Sequence, residues 1–196
     1  MIILSFLYYK KGMSKSMNVK GKKVLLRAME LEDMEFLRNM INDEDMEHNV
    51  IGWSFPVSRY EQQKWFENTI QNKNNIRFIV ETEGKSIGLA TLTSIDWKNR
   101  KACHGIKLFS DNIKGKGYGT DTVMTIMKYA FEELQLNRLY GSILKYNTAS
   151  RRLYEKCGWK EEGIERKSIF KNNQYHDEIV LGVLKEDYEE KKREWM

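Results

Sequence analysis

The chain has 196 residues, of which 41% are apolar and 31% are charged, and its formal net charge is +5. This length suits one α/β domain with its own core, and a composition with a single proline excludes a globally disordered chain. Residues 1–23 contain six lysines and no acid, so the remainder of the chain is close to neutral and carries no basic stripe. A dedicated nucleic-acid partner is therefore not expected.

The N-terminal segment and the cysteines predict a cytoplasmic protein. The apolar run over residues 2–9 is too short to span a bilayer, and lysines follow it instead of preceding it, which argues against a membrane anchor or a signal peptide. We expect residues 1–16 to be a flexible extension, with Met13 or Met17 as alternative starts, and residues 17–196 to form one domain. Two cysteines without CxxC spacing and three scattered histidines predict neither a disulfide nor a metal site.

The first half of the chain is predicted to form helices followed by strands. A short strand at residues 24–27 precedes a helix over residues 31–41, whose apolar side chains recur at helical spacing. Ser58, with Glu61 three residues later, forms a capping box that predicts a second helix ending near Ile70. Strands are then expected at residues 76–82, 85–94 and 101–109, with Glu83 and Gly84 as a tight turn between the first two.

The second half alternates helices with strands after a glycine-rich stretch at residues 115–119. Apolar side chains on one face predict a long helix over residues 120–134, and a shorter helix is expected over residues 148–156. Further strands are predicted at residues 138–144, 159–165, 168–170 and 175–184, with residues 185–194 as a solvated tail. This order predicts a mixed α/β (α+β) fold around a largely antiparallel sheet.

The segment from Lys114 to Thr120 has the composition of an anion-binding turn. It reads Lys-Gly-Lys-Gly-Tyr-Gly-Thr and lies between a predicted strand and the long helix. Glycines permit positive φ and close approach, so successive backbone N–H groups can converge on a phosphate at the helix N-terminus. Neither a Walker A sequence nor a dinucleotide-binding GxGxxG is present, so these residues alone leave open a glycine-rich connection without a ligand.

Two segments together resemble the signature of the GNAT acetyltransferase superfamily. Residues 114–119 match (R/Q)-x-x-G-x-(G/A) except at Lys114, where a lysine keeps a cation but loses the guanidinium fork. Residues 147–159 match N-x-x-(A/S)-x-x-x-Y-x-x-x-G-(F/W). With residues 25–27 and 173–177, the resemblance covers about residues 22–190 and points to the branch that acetylates ribosomal proteins and spermidine.

The resemblance implies a fold and an activity. The fold would be the GNAT fold, a mixed, mostly antiparallel sheet of six to seven strands flanked by four helices. The activity would be transfer of the acetyl group of acetyl-CoA, without a metal, to a primary amine of a polyamine, another small amine or a protein N-terminus.

The resemblance also implies which residues hold acetyl-CoA. Main-chain groups of Ile106, Lys107 and Leu108 would bind the pantetheine arm where two strands splay apart, and Asn147 would contact the cofactor. The diphosphate would lie on the turn formed by Lys114, Gly115, Lys116, Gly117, Tyr118, Gly119 and Thr120.

Acetyl transfer needs a proton donor for the leaving thiolate and a route by which the amine loses a proton. An aliphatic amine of pKa near ~10 is mostly ammonium at neutral pH, and a thiolate of pKa roughly 8.5 leaves more readily when a weak acid protonates it. Tyr154 matches the general-acid tyrosine of the family, and the alternative is a tyrosine that only packs in the core.

The sequence does not show which residue is the general base that takes the proton from the amine. Relatives carry a glutamate in a pattern like A-E-x-G-I, whereas this chain reads Ala-Cys-His-Gly-Ile over residues 102–106. We predict that His104 relays a proton through water, with a buried sheet histidine as the alternative. Cys103 is assigned to the acceptor site, with a covalent nucleophile as the alternative that departs from the family's direct transfer. The missing glutamate also leaves open an impaired GNAT-fold protein that binds acyl-CoA or regulates without turnover.

Acidic residues cluster in the first predicted helix and the connection after it. Residues 30–47 contain eight acids against one cation, Arg38, and in this fold they border the acceptor side, where they could attract a polyamine, a basic peptide or an aminoglycoside. Glu35 and Trp53 are the predicted acceptor-binding residues, and Phe55 is a further candidate wall. The alternatives are a solvated helix face and aromatic packing. Assembly of the chain into a homo-oligomer is an alternative that the sequence leaves open.

Overall fold

The computed structural model describes residues 18–52, 55–109 and 114–195, which form one sheet with helices on both faces. The strands are β1 (Val19–Lys20), β2 (Leu25–Arg27), β3 (Ile76–Thr82), β4 (Lys85–Asp96), β5 (Lys101–Leu108), β6 (Arg138–Leu144), β7 (Lys160–Lys171) and β8 (Gln174–Leu184). The helices are α1 (Met34–Ile41), α2 (Glu44–Asn49), α3 (Arg59–Ile70), α4 (Tyr118–Lys128), α5 (Thr148–Lys156) and α6 (Lys185–Trp195).

The order across the sheet is β1-β2-β3-β4-β5-β6-β8-β7. Neighbouring strands are antiparallel except β5 and β6, which are parallel. β3 and β4 form the expected hairpin, in which Glu83 and Gly84 both have positive φ, the backbone of a primed two-residue turn. The mixed, mostly antiparallel sheet is thus confirmed.

Separate apolar clusters lie on the two faces of the sheet. The α4 face is the larger cluster, and Val123 and Met127 of that helix are fully buried in it. On the opposite face, Leu37 of α1 packs in a smaller cluster with Leu89 of β4, against which Trp65 of α3 is partly buried. Helices α1 and α4 therefore turn their apolar stripes to the sheet, as the 3.6-residue period predicts.

Two local signals in the sequence are confirmed. Ser58 caps α3 by accepting from the Glu61 N–H, and the Glu61 side chain accepts in return from the Ser58 N–H, so the predicted capping box is present. The long helix after the glycines is also present, but its α-helical part ends at Lys128 and continues as a π-helical turn over Tyr129–Glu133.

Several predicted elements are corrected by the structure. The described ranges contain eight strands and six α-helices instead of six to seven strands and four helices. The predicted solvated tail is helix α6, in which Tyr188 is fully buried and donates to Glu132 Oε1 at 2.6 Å. The two strands predicted between residues 159 and 170 are one strand, β7, whose register against β8 shifts between Glu165 and Ile169.

The predicted N-terminal extension lies outside the described residues, as does Trp53. The division into an extension and one domain stays a prediction. Among the helices of residues 18–52, 55–109 and 114–195, none combines the length and the apolarity that a bilayer-spanning segment requires.

Candidate active site

The sheet opens between its two parallel strands. β5 and β6 pair over only three positions, from Lys101 opposite Arg138 to Cys103 opposite Tyr140. Beyond that point β5 continues to pair with β4 as far as Leu108, and β6 continues to pair with β8. The facing edges of residues 104–108 and 141–144 therefore lack ladder partners across the gap, and they leave a groove with free main-chain donors and acceptors.

One glycine allows the two strands to stay close at the closed end of this groove. A Cβ added at Gly141 would lie 2.9 Å from the carbonyl oxygen of His104, which is closer than carbon and oxygen can pack. The strands meet there because residue 141 has no side chain, and they diverge beyond it.

The predicted phosphate turn lies at the open end of the groove. A Cβ at Gly119 would lie 3.7 Å from Leu108, the last residue of β5, and 3.2 Å from Leu153 of α5. Gly115 and Gly117 have φ values of 76° and 83°, and Gly117 is the left-handed N-cap of α4. The first N–H groups of α4 therefore face the turn without helical partners, as an anion site requires.

Tyr154 is placed on the groove by α5. The Asn147 side chain caps this helix by accepting from the Ser150 N–H at 3.0 Å, and Leu153 sits on the glycine at the start of α4. The Tyr154 ring is 7% exposed, and within the described ranges its hydroxyl has no hydrogen-bond partner. Burial raises the pKa of Tyr154, so the phenol stays protonated at neutral pH and is available as a donor.

His104 lies on the same side of β5 as Tyr154. Its ring centroid is 5.8 Å from that of Tyr154 and 5.5 Å from that of Trp159. Its Nδ1 lies 3.2 Å from the carbonyl oxygen of Thr91, whereas Nε2 is buried without a partner in the described part of the chain. Burial lowers the pKa of His104 to about 4, so the imidazole is neutral and its Nδ1–H donates to that carbonyl.

Cys103 faces the other side of the sheet. Side chains alternate along a strand, and Lys107 pairs with Leu89, which belongs to the α1 face, so residues 103, 105 and 107 lie on that face. Burial raises the pKa of Cys103 and lowers the pKa of Lys107. The two positions considered for the base, 103 and 104, are therefore brought to opposite faces.

Helix α2, an element that the sequence did not predict, is bonded to the two residues that precede α5. The carbonyl of Asn49 accepts from Asn147 Nδ2 at 2.8 Å, and the carbonyl of His48 accepts from the Tyr146 hydroxyl at 2.5 Å. Lys171, whose side chain is 2% exposed, forms an ion pair with Glu47 and donates to its carbonyl at 2.8 Å. These bonds hold α2 beside the start of α5.

Glu35 has partners of its own. Its carboxylate pairs with Arg38 at 2.7 Å and with Arg59 at 3.5 Å, on a surface cavity of about 450 Å³ between α1 and α3. The pKa of Glu35 is lowered by its hydrogen bond to Arg38. A carboxylate paired in this way is a weaker attractor for an amine than an unpaired one.

No three His, Cys, Asp or Glu side chains in the described residues are grouped as a metal site would require.

A groove that begins at a phosphate-type turn and ends beside a buried phenol fits a long donor molecule, with phosphates at one end and the reacting atom at the other. These features define the class of coenzyme A-dependent acyltransferases.

Comparisons with known proteins agree with this class. The family model described as an acetyltransferase (GNAT) domain matches residues 23–160. An N-acetyltransferase of the SPbeta prophage of Bacillus subtilis, YokL, is 29% identical over 170 residues, which cover 86% of this chain and 94% of the relative. Spermidine N(1)-acetyltransferase of Vibrio cholerae is 28% identical over 172 residues, covering 86% and 96%.

A solved structure shares the fold. The crystal structure of spermidine N-acetyltransferase from Vibrio cholerae in complex with CoA and spermine aligns with a TM-score of 0.80 at 28% identity, covering 85% of this chain and 98% of that one. The chain belongs to the GNAT acetyltransferase family, and it is an acetyl-CoA-dependent N-acetyltransferase that acetylates an amine.

Proposed function

We propose that this enzyme acetylates a primary amine of a polyamine, and that the groove between β5 and β6 holds acetyl-CoA. The observation that carries the proposal is the loss of pairing between β5 and β6 beyond Cys103, with the glycine turn at the open end and Tyr154 beside the groove. The main-chain groups of residues 106–108 would bind the pantetheine arm like an added strand. The diphosphate would lie on residues 114–120.

Tyr154 is proposed as the donor to the leaving sulfur. When bound, acetyl-CoA supplies a thioester whose carbonyl carbon accepts the amine. The raised pKa of Tyr154 keeps its proton in place until negative charge develops on the sulfur, and the groove keeps bulk water away from the phenol. Asn147 serves this arrangement as the cap that fixes the start of α5.

Water is proposed to take the proton from the amine. Cys103 faces the acceptor side with a raised pKa, so it is a neutral thiol in contact with the acceptor and not a base. The pKa of about 4 and the full burial of His104 favour the sheet-histidine alternative over the proton relay. Direct attack by an amine that has lost its proton to water needs neither group to ionise.

The acidic residues of α2 support a polyamine acceptor. Glu44 and Asp45 are exposed, and neither forms an ion pair with another described residue. They lie on the helix that contacts Asn147 through Asn49, so their charge is at the acceptor side of the groove. A polyamine can place one amine at the reaction centre and a second, still protonated, amine beside these carboxylates. The spermidine acetyltransferases among the relatives favour the same class of acceptor.

The test compares the turnover of different acceptor amines and the activity of Tyr154→Phe with that of a control variant. We expect thiol release with acetyl-CoA to give the highest kcat/KM for spermidine or spermine, lower values for a monoamine of similar length, and a decline with ionic strength because the carboxylates are exposed. Tyr154→Phe should lower kcat by about 10²-fold or more while KM for acetyl-CoA stays unchanged. Tyr129→Phe, which removes a half-buried phenol in the π-helical turn, is the matched control.

Three results would contradict the proposal. A higher kcat/KM for an N-terminal peptide or an aminoglycoside would exclude the polyamine preference. Full kcat in Tyr154→Phe would remove the donor assignment. Tight CoA binding without turnover of any amine would favour the impaired, acyl-CoA-binding alternative that the missing glutamate motivates.

A further inference from the structure

The chain that leads into β2 is fastened to the first turn of α4. The buried carboxylate of Asp121 accepts from the backbone N–H groups of Lys22 at 3.1 Å, Lys23 at 2.6 Å and Val24 at 3.0 Å. A Cβ at Gly21 would lie 2.5 Å from Asp121 Oδ2, so only glycine permits this approach. Three bonds to one carboxylate fix the backbone of Lys23 beside the phosphate turn.

The side chain of Lys23 extends over that turn. Its Nζ donates to the carbonyl of Lys116 at 2.7 Å, although the two residues are 93 positions apart in the sequence. The same Nζ lies 3.3 Å from the place where a Cβ of Gly117 would be. The ammonium therefore sits against the left-handed glycine that begins α4, at the same point as the free N–H groups of the helix.

The ammonium of Lys23 has N–H donors beyond the one that binds the Lys116 carbonyl. Lysine carries three N–H donors, and the Lys116 carbonyl uses one of them. No carboxylate in residues 18–52, 55–109 and 114–195 forms an ion pair with Lys23. A cation that is held by the backbone next to a helix N-terminus and lacks a counter-ion is suited to an anionic ligand.

We propose that Lys23 is a cofactor-binding residue whose ammonium contacts the diphosphate of acetyl-CoA, and that Asp121 is the positioning residue that places it there. This inference rests on the proposed cofactor site. It assigns one cation of the diphosphate site to the N-terminal segment, about ninety residues before the glycine turn. Lys114 lacks the guanidinium fork, and Lys23 adds a second cation at the same turn.

The test is calorimetric titration of the full chain with CoA and, separately, with dephospho-CoA, which retains the diphosphate but lacks the 3′-phosphate. Lys23→Gln removes the charge and keeps a side chain that can still donate to the Lys116 carbonyl. Lys20→Gln, an exposed lysine on β1, removes the same net charge and is the matched control. Lys23→Arg restores a cation.

We expect Lys23→Gln to raise the Kd for CoA and for dephospho-CoA by the same factor, about five- to tenfold, as the loss of one charge-assisted hydrogen bond predicts. Its log Kd should also depend less steeply on salt than that of the wild type. Lys20→Gln should bind like the wild type, and Lys23→Arg should recover most of the affinity.

Three outcomes would overturn the inference. An effect with CoA but none with dephospho-CoA would assign the ammonium to the 3′-phosphate. An equal change in Lys20→Gln would show that the loss of affinity reflects the net charge of the protein. Wild-type affinity in Lys23→Gln would exclude any contact between Lys23 and CoA. A wild-type chain without affinity for CoA would instead contradict the cofactor site itself, so the two failures are distinguishable.

Discussion

The imidazole of His104 couples ionisation to folding more strongly than an exposed histidine does. In the folded chain its pKa is about 4, against an ordinary value of 6.5, because burial disfavours the charged form. Between these values the unfolded chain binds a proton that the folded chain does not. The free energy of unfolding therefore falls as the pH falls from 6.5 to 4, and above pH 6.5 the full contribution is present.

We predict that His104→Phe, which keeps a ring in the cluster with Tyr154 and Trp159, removes this pH dependence. Across that window the wild type should lose about 3 kcal/mol more than the variant, measured by urea unfolding at a series of pH values. His176→Gln, which removes a partly buried histidine of β8, is the control variant. Equal slopes in the wild type and His104→Phe would contradict the burial of the neutral form.

Single residues also show what the sequence could and could not predict. The glycines of the turn and Tyr154 are recognisable because they fall at the fixed spacing of the family's motifs. Alternation along β5 already separates Cys103 from His104, but only the helices on each face show what each of the two side chains lies beside. The contact of Lys23 with the turn joins residues 93 positions apart and leaves no local pattern.

Among the elements, α2 was missed because its stability is tertiary. It has six residues, most of them charged or polar, and no apolar stripe that a period search could detect. Asp43 caps it by accepting from the Met46 N–H at 2.8 Å, and Lys171 fastens its other end to the β7–β8 hairpin. α6 was missed for a related reason, since its charged composition resembles a solvated tail.

Lys171→Met should loosen α2. The substitution keeps an unbranched side chain in the buried position but removes the ammonium, so the ion pair between Lys171 and Glu47 is lost. We expect a loss of about 1–3 kcal/mol in the free energy of unfolding and faster amide exchange in α2. We also expect a higher KM for the amine at unchanged KM for acetyl-CoA.

The control is Lys145→Met, which breaks the neighbouring ion pair with Asp177. That lysine side chain is 53% exposed, so the loss should stay within about 1 kcal/mol. Unchanged exchange in α2 of Lys171→Met would show that the helix does not depend on the buried lysine. A rise in KM for acetyl-CoA, with no rise in KM for the amine, would place α2 at the acetyl-CoA side of the groove and contradict the proposal.

At the scale of the whole molecule, the sheet consists of two antiparallel blocks joined by the short parallel contact of β5 and β6. Hairpins such as β3–β4 and β7–β8 are local, so strand and turn signals in the sequence predict them, whereas β2–β3 and β6–β8 pair strands that are distant in the chain. The point where the blocks part is set by Gly141 and by the distance over which β5 follows β4, and neither is visible in the order of elements. The groove could therefore be expected only from family resemblance.

CoA is predicted to link the two blocks. Binding to the folded state alone stabilises it by RT ln(1 + [L]/Kd), about 2.7 kcal/mol at a hundredfold excess over Kd. Amide exchange should slow at residues 105–108 of β5 and 142–144 of β6, which lack partners across the groove, and at the turn over residues 115–120. Adenosine 3′,5′-diphosphate, which lacks the pantetheine arm, is the control and should protect the turn while leaving the strand edges exchanging as in the free chain. Protection of both regions by this control would mean that the strands tighten on phosphate binding alone, whereas protection of neither region by CoA would place the cofactor outside the groove.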